Sequence, residues 1–509
     1  MSSESTGTTP VIELLGRDRA FREAGSTPES AAVTGIGKLY YRPSELPSMN
    51  GELTGRLDEI RSGVTRRRLR IAFLLIILAC GAYLAYGAAT GVTTATQSGV
   101  SEAPPTENRT VVTESAKFGT IIAYAPDGSV AYYNNTHTKY FDVDQIENES
   151  MTVEYTATDT IHTSGPRCQD PPCSRNVIER ANLSTGEVTE MVVRYDHREN
   201  AGEWHDHVRV DENRVVVADI ADDQVFMLNT ETGMQEWAWE AQSEFPVDEG
   251  GNYPGDWAHV NDVSMLEDGR VMVSLRNQDQ VVFIDPETGM NESWTLGEED
   301  NHDIQYEQHN PDYIPEERGG PAVVVADSEN ERVEEFQRVD GEWTRTWEWS
   351  DERMQWPRDA DRLPNGNTLI TDTNGKRLIE VNPEGDIVWQ VELSHPYDAE
   401  RLGTGEESDG GQSARALGLE SQTESGTDES GGFGANIFTA IGDVIRDLLP
   451  SRVINAIIYL GPTWMGRPEF GAATIAVLTG LAWGGSELRW LLRSRGIGFR
   501  SPVYRDGGD

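Results

Sequence analysis

HVNDVSMLEDGRVMVSLRNQDQVVFIDPETGMNESWTL, residues 259–296, decides the fold. It opens on a short leading strand carrying His259 and Asn261, then turns at Asp268-Gly269 into a β-branched run. A polar loop, a third apolar run, a turn at Gly289 and a Trp-bearing segment complete it. Turn residues bounding short runs of β-formers mark consecutive antiparallel strands. The same order recurs in 205–240, 308–349 and 358–393. In these stretches a polar residue (His205, Asn261, His309 or Arg358) stands five residues before an aliphatic (Val210, Leu266, Ile314 or Leu363), at successive separations of 56, 48 and 49 residues. Four strands per repeat make a propeller blade. At about 50 residues per blade, residues 101–400 hold six. The expected fold is therefore all-β, a six-bladed β-propeller. Its first two blades are weakly marked, around SVAYYNNTHTKYFDV (129–143) and RNVIERANLSTGEVTEMVVRYD (175–196).

Outward from the repeats the composition changes. RRRLRIAFLLIILACGAYLAYGAA (66–89) is apolar from Ile71 to Ala89, long enough for one membrane-spanning helix of roughly 20 residues. Arg61, Arg66, Arg67, Arg68 and Arg70 flank its N-terminal side, which places the N-terminus in the cytoplasm and the propeller outside. A second span is expected at 468–490, followed by a basic tail over 491–509 that returns to the cytoplasm. The segment 435–465 carries charges at helical spacing and reads as amphipathic or re-entrant. Residues 1–65 and the Gly/Ser/Glu-rich linker 401–434 read as disordered. The sequons at Asn108, Asn134, Asn148, Asn182 and Asn291 all fall between the two spans, as glycosylation of an outer domain requires. Cys168 and Cys173 flank a Pro-Pro loop and could close a small disulfide there.

Charge excludes one class of partner. With 86 Asp+Glu against 42 Lys+Arg the net charge is −44, and lysine occurs four times (Lys38, Lys117, Lys139, Lys376). Such a chain does not bind nucleic acid, which needs cationic neutralisation of phosphate. An acidic surface suited to high salt accounts for the balance, so the sign of the charge says nothing of the substrate.

The leading strands carry the chemistry. The innermost strand of each blade lines the central channel, so His205, Asn261, His309 and Arg358 are expected to converge on one axial funnel. His207 and His259 lie two residues from such positions, and alternation would keep them on the same face. His302 falls in the same stretch. A lone strand histidine is most often structural; polar residues in register on four blades point instead to an anionic ligand. HDH (205–207) is the one sequence pattern suggestive of a metal, but it lacks a complete ligand set. No metal and no cofactor are expected.

DWAHVNDVSMLEDGRVMVSLRNQDQVVFID (256–285) and EQHNPDYIP (307–315) resemble the arylsulfate sulfotransferases, six-bladed propellers that move a sulfuryl group between phenols without a nucleotide. The likeness covers about residues 200–400 and is of a membrane-anchored, haloarchaeal type. It implies that His309 carries the sulfuryl group, with His302 the alternative nucleophile. It also implies that His259, Asn261 and Arg276 hold the substrate, together with His205 or His207. Arg358 would complete an electropositive funnel. The implied partners are a small phenolic sulfate donor and a phenol acceptor, at a membrane. The rival reading is a non-catalytic, membrane-anchored propeller that binds an anion, as a surface sensor or adhesion module.

Overall fold

The computed structural model describes residues 49–91, 93–116, 118–146, 149, 151–197, 202–405, 407–424 and 449–496, with 49–64 and 424 as backbone alone. Six antiparallel sheets form six blades. Blades 2 to 6 begin, respectively, with the inner strands Lys139–Gln145, Trp204–Asp211, Val260–Met265, His309–Ile314 and Pro357–Arg362. Blade 1 is assembled from both ends of the domain. Its three outer strands, Thr110–Glu114, Thr120–Tyr124 and Val130–Asn134, receive the late strand Pro396–Arg401 as the innermost member. Each inner strand touches the next, and the ring is closed. The closure pairs strands from both ends of the domain in one sheet, so each blade keeps only its outer strand as an edge.

Each blade is apolar on both faces, because it is buried by neighbours on both sides. The core accordingly lies between blades. Val216, Ala218 and Trp239 of blade 3 meet Val263, Val271 and Val273 of blade 4. Ile314 and Val324 of blade 5 meet Ile370 and Ile379 of blade 6. Val112 and Ile122 of blade 1 meet Leu369 and Leu378 of blade 6 across the closure. Each such aliphatic contributes about 1.5–3 kcal/mol when fully buried.

All six inner strands share one irregularity, a register shift near their starts. It lies between Tyr140 and Val143, Trp204 and Asp206, Val260 and Asp262, His309 and Asp312, and Pro357 and Asp359, and opposite Val112/Glu114 for Pro396–Arg401. A bulge inserts unpaired residues and re-aims the side chains around it. His259, Asn310 and Trp356 accordingly adopt the left-handed region, with φ of 53°, 39° and 57°.

Several expectations at the flanks change. The helix expected over 66–92 runs from Met49 to Thr90 (α1), so the last part of the segment taken as disordered has a helical backbone. The linker expected to be disordered over 401–434 is folded in its described part. It places Glu407–Gly410 against the channel, forms a helical turn at Ala414–Leu417, and adds Gln422–Glu424 in parallel to the outer strand of blade 5. Polar composition suggested disorder, but Ser408, Ser413 and Ala414 hydrogen-bond into blades 5 and 6. Residues 1–48 and 425–448, and the end of the basic tail from 497, lie outside the described residues, as does Asn148.

Of the described helices, one, within Thr65–Thr90, is long and apolar enough to cross a membrane. Ser451–Leu460 (α2) is short and apolar, and Arg467–Ser494 (α3) is longer but more polar. α3 runs antiparallel to α1: Arg70 donates twice to Glu487 at 2.5 and 2.6 Å, and Phe73 stacks on Trp483 at 6.3 Å. Cys168 and Cys173 form a disulfide in blade 2. Asn291 is exposed, and Asn108, Asn134 and Asn182 are partly exposed.

Candidate active site at the heads of the inner strands

Lys139, His205, His259, His309, Arg358 and His395 stand within one residue of the start of the six inner strands. One end of the channel is thereby ringed by basic side chains, one per blade. Five of them are buried, with His309 and His395 0 % exposed, Arg358 5 %, His205 6 % and His259 7 %, while Lys139 is partly exposed.

Hydrogen bonding fixes the protonation of two of them. Arg358 Nη1 lies 2.5 Å from His309 Nε2, and Arg276 Nη1 lies 3.2 Å from His259 Nε2. A guanidinium only donates, so both Nε2 atoms present lone pairs and both protons sit on Nδ1. His309 Nδ1–H donates to Ser328 Oγ at 2.8 Å, with Glu307 O at 3.0 Å, and Ser328 in turn donates to Pro357 O at 2.6 Å. His259 Nδ1–H donates to Asp256 Oδ1 at 2.5 Å. Burial pushes the His309 pKa well below the ordinary imidazole value, and the Arg358 and Arg276 charges push it further. His259 is lowered by burial and by Arg276, against the opposing pull of Asp256. Both rings are neutral bases near pH 7.

The remaining members frame a small polar hollow. The His205 ring lies 5.2 Å from that of His259 and 4.2 Å from Phe141, and Tyr397 Oη is 3.0 Å from His205 Nδ1. Arg358 stacks on Trp356, its Cζ 3.7 Å from the ring centre, and Tyr397 is 5.5 Å from the same atom. Lys139 pairs with Glu203 at 2.6 Å. Neither ring nitrogen of His395 has a hydrogen-bond partner. α2 roofs this end of the channel. Tyr459 packs on Trp356 (5.4 Å) and His395 (5.7 Å), and Arg452 pairs with Glu307 at 2.6 Å. The buried Asn455 side chain donates to Glu329 at 3.0 Å and accepts from Gln355 at 3.2 Å.

The structure brings together His205, His259, Arg276, His309 and Arg358. Asn261 is buried beside them, and its amide donates to Gln308 O at 2.9 Å, holding the strand that carries His309. His207 is turned away, because the bulge between Trp204 and Asp206 breaks the alternation that would have aligned it with His205. Its ring is held by Asp142 at 2.8 Å and Glu154 at 3.2 Å. His302 lies apart, 39 % exposed, 3.3 Å from Asp279 and stacked on Tyr306. Three members escaped the sequence reading: Lys139, His395 and Tyr397. A spacing could have found them. KYFD (139–142), HVND (259–262), HNPD (309–312), RDAD (358–361) and HPYD (395–398) each set a basic residue three positions before an aspartate. A cavity of about 830 Å³ lies at the other end of the channel, lined by His207, Asp312 and Glu407 among others, and not around His205, His259 or His309.

Residues 187–394 match the family model of the arylsulfotransferases (ASST). That stretch contains His205, His259, Arg276, His309 and Arg358. No curated protein matches the chain. Among solved structures, a protein of unknown function from Bacteroides caccae is similar at 11 % identity, covering 58 % of this chain and 98 % of its own, with a TM-score of 0.40. The periplasmic gluconolactonase of Pseudomonas aeruginosa is similar at 13 % identity, covering 58 % and 99 %, with a TM-score of 0.38.

Proposed function

We propose that the propeller transfers a sulfuryl group from an aryl sulfate to a phenol, with His309 as the group carrier and no nucleotide cofactor. The observation that carries this reading is the state of His309. It is a buried neutral imidazole with its proton fixed on Nδ1 and its Nε2 lone pair facing a guanidinium. Such a nitrogen is a competent nucleophile.

In the first half-reaction Nε2 attacks sulfur, the bond from sulfur to the aryl oxygen breaks, and the phenolate leaves with the electron pair, to be protonated by solvent. The three sulfuryl oxygens carry the charge, and Arg358 and Arg276 stand where they can donate to it. In the second half-reaction the acceptor phenol gives its proton to His259 Nε2 and attacks sulfur. The sulfur–nitrogen bond breaks, His309 is restored, and His259 releases its proton to solvent. Asp256, bonded to His259 Nδ1, steadies the imidazolium that forms. Asn261 positions the His309 strand, and Tyr397 orients His205 toward the donor. The propeller sits outside the membrane that α1 anchors it to, with the N-terminus on the cytoplasmic face.

A chromogenic aryl sulfate with phenol as acceptor tests the reading. Wild-type protein should release the chromophore and, without acceptor, trap a labelled, acid-labile sulfo-histidine. His309→Ala should lose both while keeping its circular dichroism. Equal turnover in the variant, or an anion bound without any covalent label, would defeat the proposal; the second outcome is that of a binding module.

A further inference from the structure

The channel has a second polar centre, apart from the basic ring. Three residues beyond the basic ring, the aspartates of the repeated spacing (Asp142, Asp312, Asp361 and Asp398 among them) point into the same channel, each 3 % exposed or less. The segment that follows the last inner strand carries Glu407 to them, with φ of 48°. Carboxylate oxygens of Asp312, Asp361 and Glu407 lie within 4.8 Å of one another, and Glu407 completes similar groups with Asp142 and Asp398 and with Asp144 and Glu400.

Carboxylates gathered in a buried place must either take up protons or meet something positive between them. The arginines nearby are engaged elsewhere: Arg401 with Glu380 at 2.5 Å and Arg362 with Glu335 at 3.2 Å. No hydrogen-bond donor reaches Asp361 Oδ1, although that residue is 1 % exposed, and its hydrogen-bonding neighbour is the Glu407 carboxyl. Buried polar atoms are rarely left so. Ser408, next in the chain, does donate to Asp312, and Glu407 N donates to Glu400 at 2.7 Å, so the segment is fixed with its carboxyl inward.

We propose that Asp312, Asp361 and Glu407 bind a hard divalent cation of calcium size on the channel axis. An all-oxygen set excludes soft metals. Calcium takes six to eight oxygens at about 2.3–2.6 Å, so ligand atoms may stand nearly 5 Å apart across the ion, wider than magnesium tolerates. Water from the adjoining cavity of about 830 Å³ fills the remaining positions and supplies the path for the ion. The cation links blades 5 and 6 to the segment after the propeller closes, and is remote from the transfer chemistry.

Thermal unfolding of the full-length, detergent-solubilised protein tests this. After chelation, calcium at about a hundredfold excess over its Kd should raise Tm by about 4 °C, with magnesium giving less. Asp361→Asn keeps the shape and should abolish the calcium increment while His309-dependent label incorporation persists. A calcium titration by calorimetry on the wild type should show one site, whether or not the variant folds. No heat of binding, or an increment that survives in Asp361→Asn, overturns the proposal.

Discussion

His309 owes its reactivity to three neighbours that the chain supplies from different elements. Ser328, on the 3₁₀ turn after the next strand, takes the Nδ1 proton; Arg358, from the next blade, faces Nε2; Trp356 stacks under that guanidinium. The arrangement makes a specific pH dependence. The His309 pKa lies well below the ordinary value through burial and then through Arg358, so the acid limb of kcat/KM should fall below the usual imidazole range. Arg358→Gln removes the largest of the charges that lower it, so the limb should move upward. kcat should also fall by about 10²–10³, the usual loss for one preorganised donor. A pH–rate profile whose limb stays in place in the variant would separate Arg358 from His309. The same residues show the reach of sequence. Aligning the repeats on the aliphatic five residues downstream placed Asn261 in the slot that His259 fills. Bulges vary in length among the inner strands, so a fixed offset from the sheet core does not fix the offset at the channel mouth. Tyr397 was missed for a different reason: its strand follows the last complete repeat and has no blade of its own sequence around it.

At the scale of elements, four blades were legible because their turns and β-branched runs recur at nearly constant spacing. Blade 1 was not, since its inner strand comes from 396–401 and its outer strands from 110–134. Pairing across nearly 300 residues leaves no local pattern to read. α2 is a further case. The charges of 435–465 suggested an amphipathic or re-entrant segment, and the structure sets the inner face of α2 over the channel, with Asn455 and Ile458 buried, and its outer face open at Val453, Ile457 and Leu460. The roof contacts the site through Tyr459 and Arg452. Tyr459→Ala removes the ring that covers Trp356 and His395 without touching His309. It should leave turnover of a small aryl sulfate within about threefold and raise kcat/KM for donors with bulky aryl groups, the sign of a steric restriction relieved. Unaltered selectivity across a donor series would show that the roof does not limit access.

At the scale of the whole molecule, stability depends on closing the ring, and Glu114 is the residue through which closure is enforced. It is buried at the end of the first outer strand, where its carboxyl accepts from Ser394 N at 2.7 Å and His395 N at 3.0 Å, and from the hydroxyls of Thr94 and Thr120. Thr94 follows α1, Ser394 and His395 precede the closing strand, and Thr94 N donates to Ser394 Oγ at 3.0 Å. One side chain therefore ties the chain leaving the apolar helix to both ends of the propeller. It also holds His395, a member of the basic ring, at the channel mouth. Glu114→Ala leaves two buried amides without an acceptor, at a cost of about 1–3 kcal/mol each, which corresponds to roughly 5 °C in Tm for a domain of this size. Because the loss falls on the closure, hydrogen exchange should quicken first in 110–114 and 396–401 and leave blades 3 to 5 protected. Uniform exchange across all six blades, or a Tm within about 1 °C of the wild type, would mean that the apolar contacts of Val112 and Ile122 with Leu369 and Leu378 suffice to hold the ring shut.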